Sequence, residues 1–415
     1  MRFKKLKNSN PLAGFIRPDI PGIFNEVFIL KKYLDRFNHA LNDGDILPPY
    51  EVIIHPSSQC NLRCEWCIGG NISGSNKIKE DLQRLTSTLA NPSNMERLIN
   101  NLLSYEEKRK IVKNGKKIKK IYKIENVSFS GITGEPLIAK ESLIKAIRLL
   151  TQKNVRVGVY TNGTLLDNQL IDELLKVAYV NFSIDAGSAA TYSRLKYQCN
   201  KDGEALFNKL IMNIKRLIKA RNKSEKSNLQ VNASYVLYPG NYREIYETAK
   251  FLKGIGIENF RVKQDNLGKN LLSKRQMNEA SKILEKIDNL VDDKFKFIKI
   301  HRLNNPSDMD RVVDNCMITD LMAAVGSDGN VYPCNYHPRV GGFSYGNAIE
   351  TKFQLIWEGE KRKKIRKSLP SICPEACDPF KNRANRLFEA IRKCQAKYGK
   401  EKTNVFISEI INYIK

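Results

Sequence analysis

The stretch from residue 51 to residue 67 has the sequence E-V-I-I-H-P-S-S-Q-C-N-L-R-C-E-W-C. Its first part, Glu51–His55, is a short apolar run that predicts a strand. The run leads into Cys60, Cys64 and Cys67, which have C-x3-C-x2-C spacing. A tetrahedral zinc site needs four ligands and a disulfide framework needs an even number of cysteines. Three close thiols instead suit a [4Fe–4S] cluster with one open iron, and the remnant of a zinc knuckle is the alternative.

Strand-like and helix-like segments alternate from residue 50 onward. Strands are predicted at Glu51–His55, Asn126–Ser130, Val155–Tyr160, Tyr179–Ile184, Gln230–Leu237 and Asn259–Lys263. Helices are predicted at Met95–Lys113, Lys140–Gln152, Asp167–Val177, Glu204–Ala220, Tyr242–Ile255 and Lys274–Leu290. Such an order implies a parallel sheet with right-handed crossovers, and six units are too few for a closed eight-stranded barrel. The sequence therefore predicts an α/β fold with a partial, open (βα)6 barrel.

Candidate site residues follow the ends of these strands, where parallel α/β sheets place their sites. They are Trp66 in the cysteine loop, Gly134 and Glu135 in S-G-I-T-G-E-P, Asn162 in T-N-G, Ser183 and Asp185 in S-I-D, and Arg261 on the sixth strand. Each motif has an ordinary explanation as well: T-N-G is a common turn, Ser183 suits a helix cap, and Arg261 suits the surface. Their order along successive strands is what makes them a candidate site.

The cysteine triad, with Trp66 before its third cysteine, resembles the signature of the radical S-adenosylmethionine (SAM) superfamily. The resemblance implies that the open iron binds SAM and that reductive cleavage of SAM yields a 5′-deoxyadenosyl radical, which abstracts a hydrogen atom. It implies that G-E-P lies near the SAM ammonium, with Thr133 where a glycine is common. T-N-G is a further turn like the family's. S-I-D would contact the SAM ribose or the substrate, and Arg261 would pair with the SAM carboxylate.

A second set of cysteines follows residue 300, where the alternation of strands and helices stops. It consists of Cys316, Cys334, Cys373 and Cys377. The set resembles the auxiliary-cluster modules of radical SAM enzymes called SPASM and twitch domains. Four thiolates saturate one [4Fe–4S] cluster, which would either transfer electrons or stabilise the fold of this domain. We therefore predict two clusters in the chain, with a four-cysteine zinc site as the alternative for the second.

Composition constrains the cellular setting and the partners. The chain has 415 residues, nine cysteines and a formal net charge of +26. No run approaches ~18 apolar residues and no signal peptide is apparent, so we expect no membrane contact and a reducing cytoplasm. Basic runs at Lys108–Lys120 and Lys361–Lys367 suit either a solvated surface or a patch for an anionic partner.

The predicted organisation is a helical extension at 1–48, a radical SAM core at 49–300, an auxiliary-cluster domain at 301–383 and a helical tail at 384–415. The expected substrate is a peptide or a small polar metabolite such as a sugar, and the expected electron source is an external donor such as flavodoxin or ferredoxin. Alternatives are a nucleic-acid or nucleotide-modifying enzyme and a non-catalytic scaffold. Cys199 is a candidate hydrogen donor, whereas Cys394 suits a packing thiol.

Overall fold

The strands that carry the site form one long sheet. The computed structural model describes residues 2–20, 25–41, 46–67, 87–113, 116–131, 134–197, 202–265, 270–300, 315–336, 343–373 and 377–414. Its strands are β1 (Glu51–Ile54), β2 (Glu107–Lys113), β3 (Lys116–Tyr122), β4 (Asn126–Phe129), β5 (Arg156–Thr161), β6 (Tyr179–Ser183), β7 (Gln230–Leu237), β8 (Asn259–Gln264), β9 (Lys296–Lys299), β10 (Met322–Val325), β11 (Asn330–Tyr332) and β12 (Gly346–Asn347).

Within these ranges, ten strands pair in the order β12-β11-β10-β1-β4-β5-β6-β7-β8-β9. Every neighbouring pair from β10 to β9 is parallel. The six predicted strands are β1 and β4 to β8, side by side in chain order, which confirms the predicted (βα)6 sheet. The sequence analysis missed β9, which extends the sheet beyond the sixth strand.

Helices follow most of these strands. They are α1 (Arg2–Ser9), α2 (Glu26–Leu41), α3 (Pro92–Leu103), α4 (Lys140–Gln152), α5 (Asn168–Leu174), α6 (Ala189–Tyr197), α7 (Gly203–Lys223), α8 (Ile245–Ile255), α9 (Lys274–Asp288), α10 (Phe353–Glu358), α11 (Glu360–Lys367), α12 (Pro379–Tyr398) and α13 (Lys400–Tyr413). Side-chain caps fix several starts: Asp167 accepts the Leu170 N–H at α5, and Ser273 forms a capping box at α9. No helix of the described ranges is long and apolar enough to cross a bilayer.

The two faces of the sheet differ in polarity because side chains alternate along a strand. One face carries apolar residues that are buried in the main core with the helices, among them Val127, Phe129, Val157, Val180, Phe182, Val231, Phe260 and Val262. The other face lines a cavity with residues that include Ser128, Arg156, Asn181, Ser234, Arg261 and Lys263. A barrel with a polar inner face is suited to hold a polar ligand rather than to pack as a core.

The helix predicted at Met95–Lys113 is wrong beyond Leu103. α3 ends there, and β2 and β3 form an antiparallel hairpin over residues 107–122. The stretch is dominated by lysines, and an Asn-Gly pair lies at its centre, which is typical of a two-residue hairpin turn. The basic run at Lys108–Lys120 is therefore a hairpin, attached to α2 by hydrogen bonds from Lys120 and Tyr122 to Asp35.

The C-terminal part of the chain does not form a separate sheet. β10 pairs parallel to β1, with Glu51 opposite Met322, and β11 and β12 continue antiparallel beyond it. α12 spans the expected boundary at residue 383. It packs with α13 against α2 in a second apolar core, where the centres of the Phe37 and Phe388 rings are 4.3 Å apart. The buried Cys394 belongs to this core.

Candidate functional site

The carboxyl ends of the parallel strands and the inner face of the sheet surround a cavity of about 400 Å³. It brings together all ten residues that the sequence assigned to the first cluster and to SAM. These lining residues are Cys60, Cys64, Trp66, Cys67, Gly134, Glu135, Asn162, Ser183, Asp185 and Arg261. Residues that lie up to 201 positions apart in sequence therefore share one site. Thr133 and Cys199 lie outside the described residues.

The loop that carries the cysteine triad is fixed on two sides. The N–H groups of Arg63 and Glu65 donate to the carbonyls of Lys196 (2.9 Å) and Leu195 (3.1 Å) at the end of α6. On the other side, the Asn162 amide donates to the Asn61 side-chain oxygen at 2.9 Å. Asn162 also accepts hydrogen bonds from Thr164, so its side chain is engaged in the protein itself. Its position supports a role in holding the loop.

Glu135 ties the ends of β4 and β5 together. Its carboxylate accepts hydrogen bonds from the Thr161 hydroxyl (2.5 Å), the Asn162 N–H (2.8 Å) and the Leu137 N–H (3.1 Å). Burial raises the pKa of Glu135, and the hydrogen bonds from Asn162 and Thr161 act in the opposite direction. The residue is 3% exposed, and it borders the cavity from within a filled hydrogen-bond network.

Gly134 is placed where the chain comes closest to the segment that leads into the triad. A Cβ at this position would lie 2.3 Å from the Ser57 carbonyl oxygen and 2.6 Å from that of Gln59. Both contacts are with backbone, which cannot move aside cheaply. The glycine of G-E-P is therefore required by close packing against the cysteine loop.

We expect Gly134→Ala to lower the free energy of unfolding by at least about 1–3 kcal/mol, because the added methyl group overpacks the loop. Iron held by the first cluster should fall with it. Gly254→Ala is the matched control: a Cβ there meets nothing within 4 Å, and alanine is the better helix former in α8. Anaerobic denaturant titration and iron analysis measure both effects. Equal stability of the two variants would contradict this explanation.

Asp185 is engaged with a lysine that sequence reasoning missed. The Lys196 ammonium donates to the Asp185 carboxylate at 2.8 Å and to the Ser183 carbonyl at 2.6 Å. Asp185 also accepts the Val236 N–H at 2.8 Å, and its φ of 57° lies in the left-handed region that Asp tolerates. The side chains of Lys196 and Asp185 are 1% and 4% exposed. No sequence motif indicates this role of Lys196, because the residue lies on a helix eleven residues beyond Asp185.

The same lysine acts on the triad. Burial raises the pKa of the Cys64 thiol, and the Lys196 ammonium works in the opposite direction. A buried cation beside a cysteine favours its thiolate form, which is the form that binds iron. Trp66 lies on the other side of the loop, buried with Val236 and Tyr238, at 5.2 Å from the Tyr238 ring. It therefore packs the loop onto β7.

Arg261 and Ser183 face the cavity from neighbouring parts of the sheet. The Arg261 guanidinium lies 5.4 Å from the centre of the Tyr160 ring. Tyr160 in turn contacts Tyr179, whose ring occupies the space beside Gly158 that a Cβ would fill. These aromatic and cationic groups form a polar part of the cavity wall.

The second set of cysteines lies at the opposite end of the parallel strands. Cys316 precedes β10, which runs parallel to β1, and Cys334 follows β11, which runs back. Burial raises the pKa of Cys316 to about 11, and Cys334 is the next contributor. Asn385 of α12 donates to the Cys316 sulfur at 3.2 Å. The adjacent residues Asn335, Tyr336, Asp378, Phe380 and Lys381 line the cavity, whereas the four cysteines do not.

The donor atoms of both sets suit iron–sulfur clusters. Cys316 and Cys334 are close enough to Cys377 to raise its pKa, and Cys60 and Cys67 are close enough to Cys64 to raise its pKa. In the part of the chain that the structure describes, no three His, Cys, Asp or Glu side chains converge on a single metal ion. A [4Fe–4S] cluster binds each thiolate through a different iron, so its ligands stand further apart than those of zinc.

Comparison with known proteins agrees with this arrangement. Residues 54–252 match the radical SAM superfamily, and residues 316–378 match the iron-sulfur cluster-binding domain SPASM. A protein of Pyrococcus furiosus, named tungsten-containing aldehyde ferredoxin oxidoreductase cofactor-modifying protein, is 24% identical over 330 residues, which are 74% of this chain and 80% of that protein.

Two solved structures show the same fold. Streptococcus suis SuiB bound to its precursor peptide SuiA has a TM-score of 0.53 and 17% identity, with 83% of this chain and 75% of that chain covered. Native anSMEcpe with bound AdoMet has a TM-score of 0.52 and 17% identity, with 88% of this chain and 100% of that chain covered. The chain thus contains a radical SAM domain at residues 54–252 and a SPASM domain at residues 316–378: it is a radical SAM enzyme, and its cofactors are SAM and [4Fe–4S] clusters.

Proposed function

We propose that this enzyme removes a hydrogen atom from a peptide or a small polar metabolite that binds in the cavity of the sheet. The observation that carries the proposal is the position of the cavity, with the cysteine triad at one end of the strands and the second cysteine module at the other. When bound, the first cluster with SAM supplies a carbon-centred radical, and the second cluster supplies an acceptor for the electron that the oxidised substrate releases.

The proposal gives each group of residues a distinct part. Cys60, Cys64 and Cys67 would hold the first cluster. The second cluster would be held by Cys316, Cys334, Cys373 and Cys377. Glu135, Asn162 and Trp66 position the loops around SAM, whereas Ser183, Asp185 and Arg261 border the space for SAM and substrate. An external donor such as flavodoxin or ferredoxin would supply the electron for SAM cleavage, and the free thiols suit the cytoplasm.

The names of two similar proteins support a substrate of this class. SuiB is bound to a precursor peptide, and the Pyrococcus protein is named as cofactor-modifying. The two longest basic runs give the nucleic-acid alternative no support, because they form the β2–β3 hairpin and α11 and neither lines the cavity. We therefore place peptides first and small polar metabolites second.

Deuterium transfer tests the proposal directly. The reconstituted enzyme is reduced anaerobically with SAM and an extract of host cells grown in deuterated medium. We expect deuterium in the released 5′-deoxyadenosine, and we expect protease treatment of the extract to remove it. Transfer that survives protease but passes a small-pore filter indicates the polar metabolite. Loss of transfer after nuclease treatment alone would contradict the proposal, as would its absence from every fraction.

Replacing Cys377 tests the second cluster. Because four thiolates saturate that cluster, we expect Cys377→Ala to lower the iron content from about eight to about four atoms per chain. The ratio of modified substrate to 5′-deoxyadenosine should fall, since the electron acceptor is lost. Solubility is checked first, because metal binding stabilises such modules. Stoichiometric zinc in the wild-type chain, with iron for one cluster, would refute the assignment.

A further inference from the structure

Two cationic side chains of strand β8 face the cavity. Arg261 and Lys263 alternate with Phe260 and Val262, which are buried in the main core. Both cations therefore face the inner side of the sheet, where they line the cavity. In the sheet Lys263 lies opposite Val236, a residue that packs with Trp66 of the cysteine loop. Lys263 thus lies at the end of the cavity that the cysteine loop borders, where Cys60, Cys64 and Cys67 would hold the first cluster.

The Lys263 ammonium has no hydrogen bond or ion pair with any described residue. Burial and the neighbouring Arg261 guanidinium both lower the pKa of Lys263, and Asp185, Asp378 and Asp265 offset this only from a distance. A cation that is partly withdrawn from water is costly unless it is paired. Lys263 is half-buried on the cavity wall, and no carboxylate of the described residues contacts its ammonium group.

The carboxylates that line the cavity are engaged with other groups. Glu51 accepts a hydrogen bond from Ser128, Glu135 accepts three, Asp185 is paired with Lys196, and Asp378 caps α12. A further cation, Arg156, also lines the cavity, and its guanidinium lies over the Tyr179 ring at 5.0 Å. No carboxylate of the described cavity lining is therefore paired with Lys263, which can receive an anionic ligand.

We propose that Lys263 binds an anionic group of the substrate, either a carboxylate or a phosphate. An ammonium group recognises both as a point charge, and desolvation in the cavity strengthens the pairing. The inference rests on the proposed function only in placing the substrate in this cavity. It narrows the substrate class to molecules with an acidic group close to the carbon that loses hydrogen.

Calorimetric titration of the reconstituted, SAM-loaded enzyme tests this, with triglutamate as the carboxylate probe and inorganic pyrophosphate as the phosphate probe. We expect at least one probe to bind the wild type. Lys263→Gln should lower the affinity for that probe by about 10-fold or more, because a charge-assisted hydrogen bond is lost. Lys263→Arg should restore part of the affinity. Lys282→Gln, on the exposed side of α9, removes the same charge and should bind as the wild type does.

A measurement without substitutions covers the case in which the variants fail to assemble. Acetic anhydride labels lysines, and we expect a bound probe to protect Lys263 of the wild type more than Lys282. Absence of binding by both probes, unchanged affinity of Lys263→Gln, or no protection overturns the inference. Probe binding at Lys263 in an enzyme that transfers no deuterium would reject the proposed function while retaining this site.

Discussion

Replacing Cys64 with alanine is expected to reduce SAM cleavage to the background level. The triad has three thiolates for a four-iron cluster, so a single loss leaves two anchors in a loop that borders an open cavity. Reconstituted wild-type chains should contain about eight irons, and the Cys60→Ala/Cys64→Ala/Cys67→Ala chain about four. Release of 5′-deoxyadenosine under dithionite measures the activity.

Cys394→Ala is the matched control for this experiment. Cys394 is 7% exposed and packs in the apolar core between α2 and α12, away from the cavity. This variant should therefore keep its iron and its 5′-deoxyadenosine release. Wild-type release from Cys64→Ala would show that the triad does not hold the reactive cluster.

Replacing Lys196 with methionine is expected to lower the free energy of unfolding by about 3–5 kcal/mol, as when one partner of a buried ion pair is removed. The substitution leaves the Asp185 carboxylate buried with the Val236 N–H, and it withdraws the hydrogen bond to the Ser183 carbonyl. The cysteine loop, which is bonded to the end of α6, should retain less iron. Anaerobic urea titration and iron analysis provide the two measurements.

Lys140→Met removes a comparable contact at the surface. Its ion pair with Asp167 is 2.6 Å long, but the side chains are 27% and 46% exposed, so we expect a loss of only about 0.2–1 kcal/mol. Adding Asp185→Asn to Lys196→Met should recover part of the stability, because it removes the unpaired charge. Equal losses for the Lys196 and Lys140 variants would contradict the role given to the buried pair.

Much of the barrel could be predicted because its signals are local. The strands β1 and β4 to β8 carry buried apolar residues and are followed by turn residues, and the triad lies in one loop directly after β1. The strand-end rule then placed Glu135, Asn162 and Asp185 near the triad before any contact was known. Local patterns were sufficient wherever the chain repeats one strand and one helix.

The rest depends on contacts between distant parts of the chain. β10 is four residues long and joins β1 across 271 positions, a pairing that periodicity cannot indicate. In the sequence Lys196 looks like any other helical lysine, because only the folded structure shows that it forms a buried ion pair with Asp185. The β2–β3 hairpin is the exception, because the Asn-Gly pair at its centre is a local turn signal that argues against a helix as long as the predicted one.

The pairing of β10 with β1 means that the C-terminal module also protects the enzyme against aggregation. Without it, β1 would have β4 on one side and a bare edge on the other, and an exposed apolar edge is a template for association with other chains. The strand that leads into the first cluster would then be the one most prone to such association. The order of assembly thus matters: until the second module is folded, the reactive end of the enzyme remains attached to an unprotected edge.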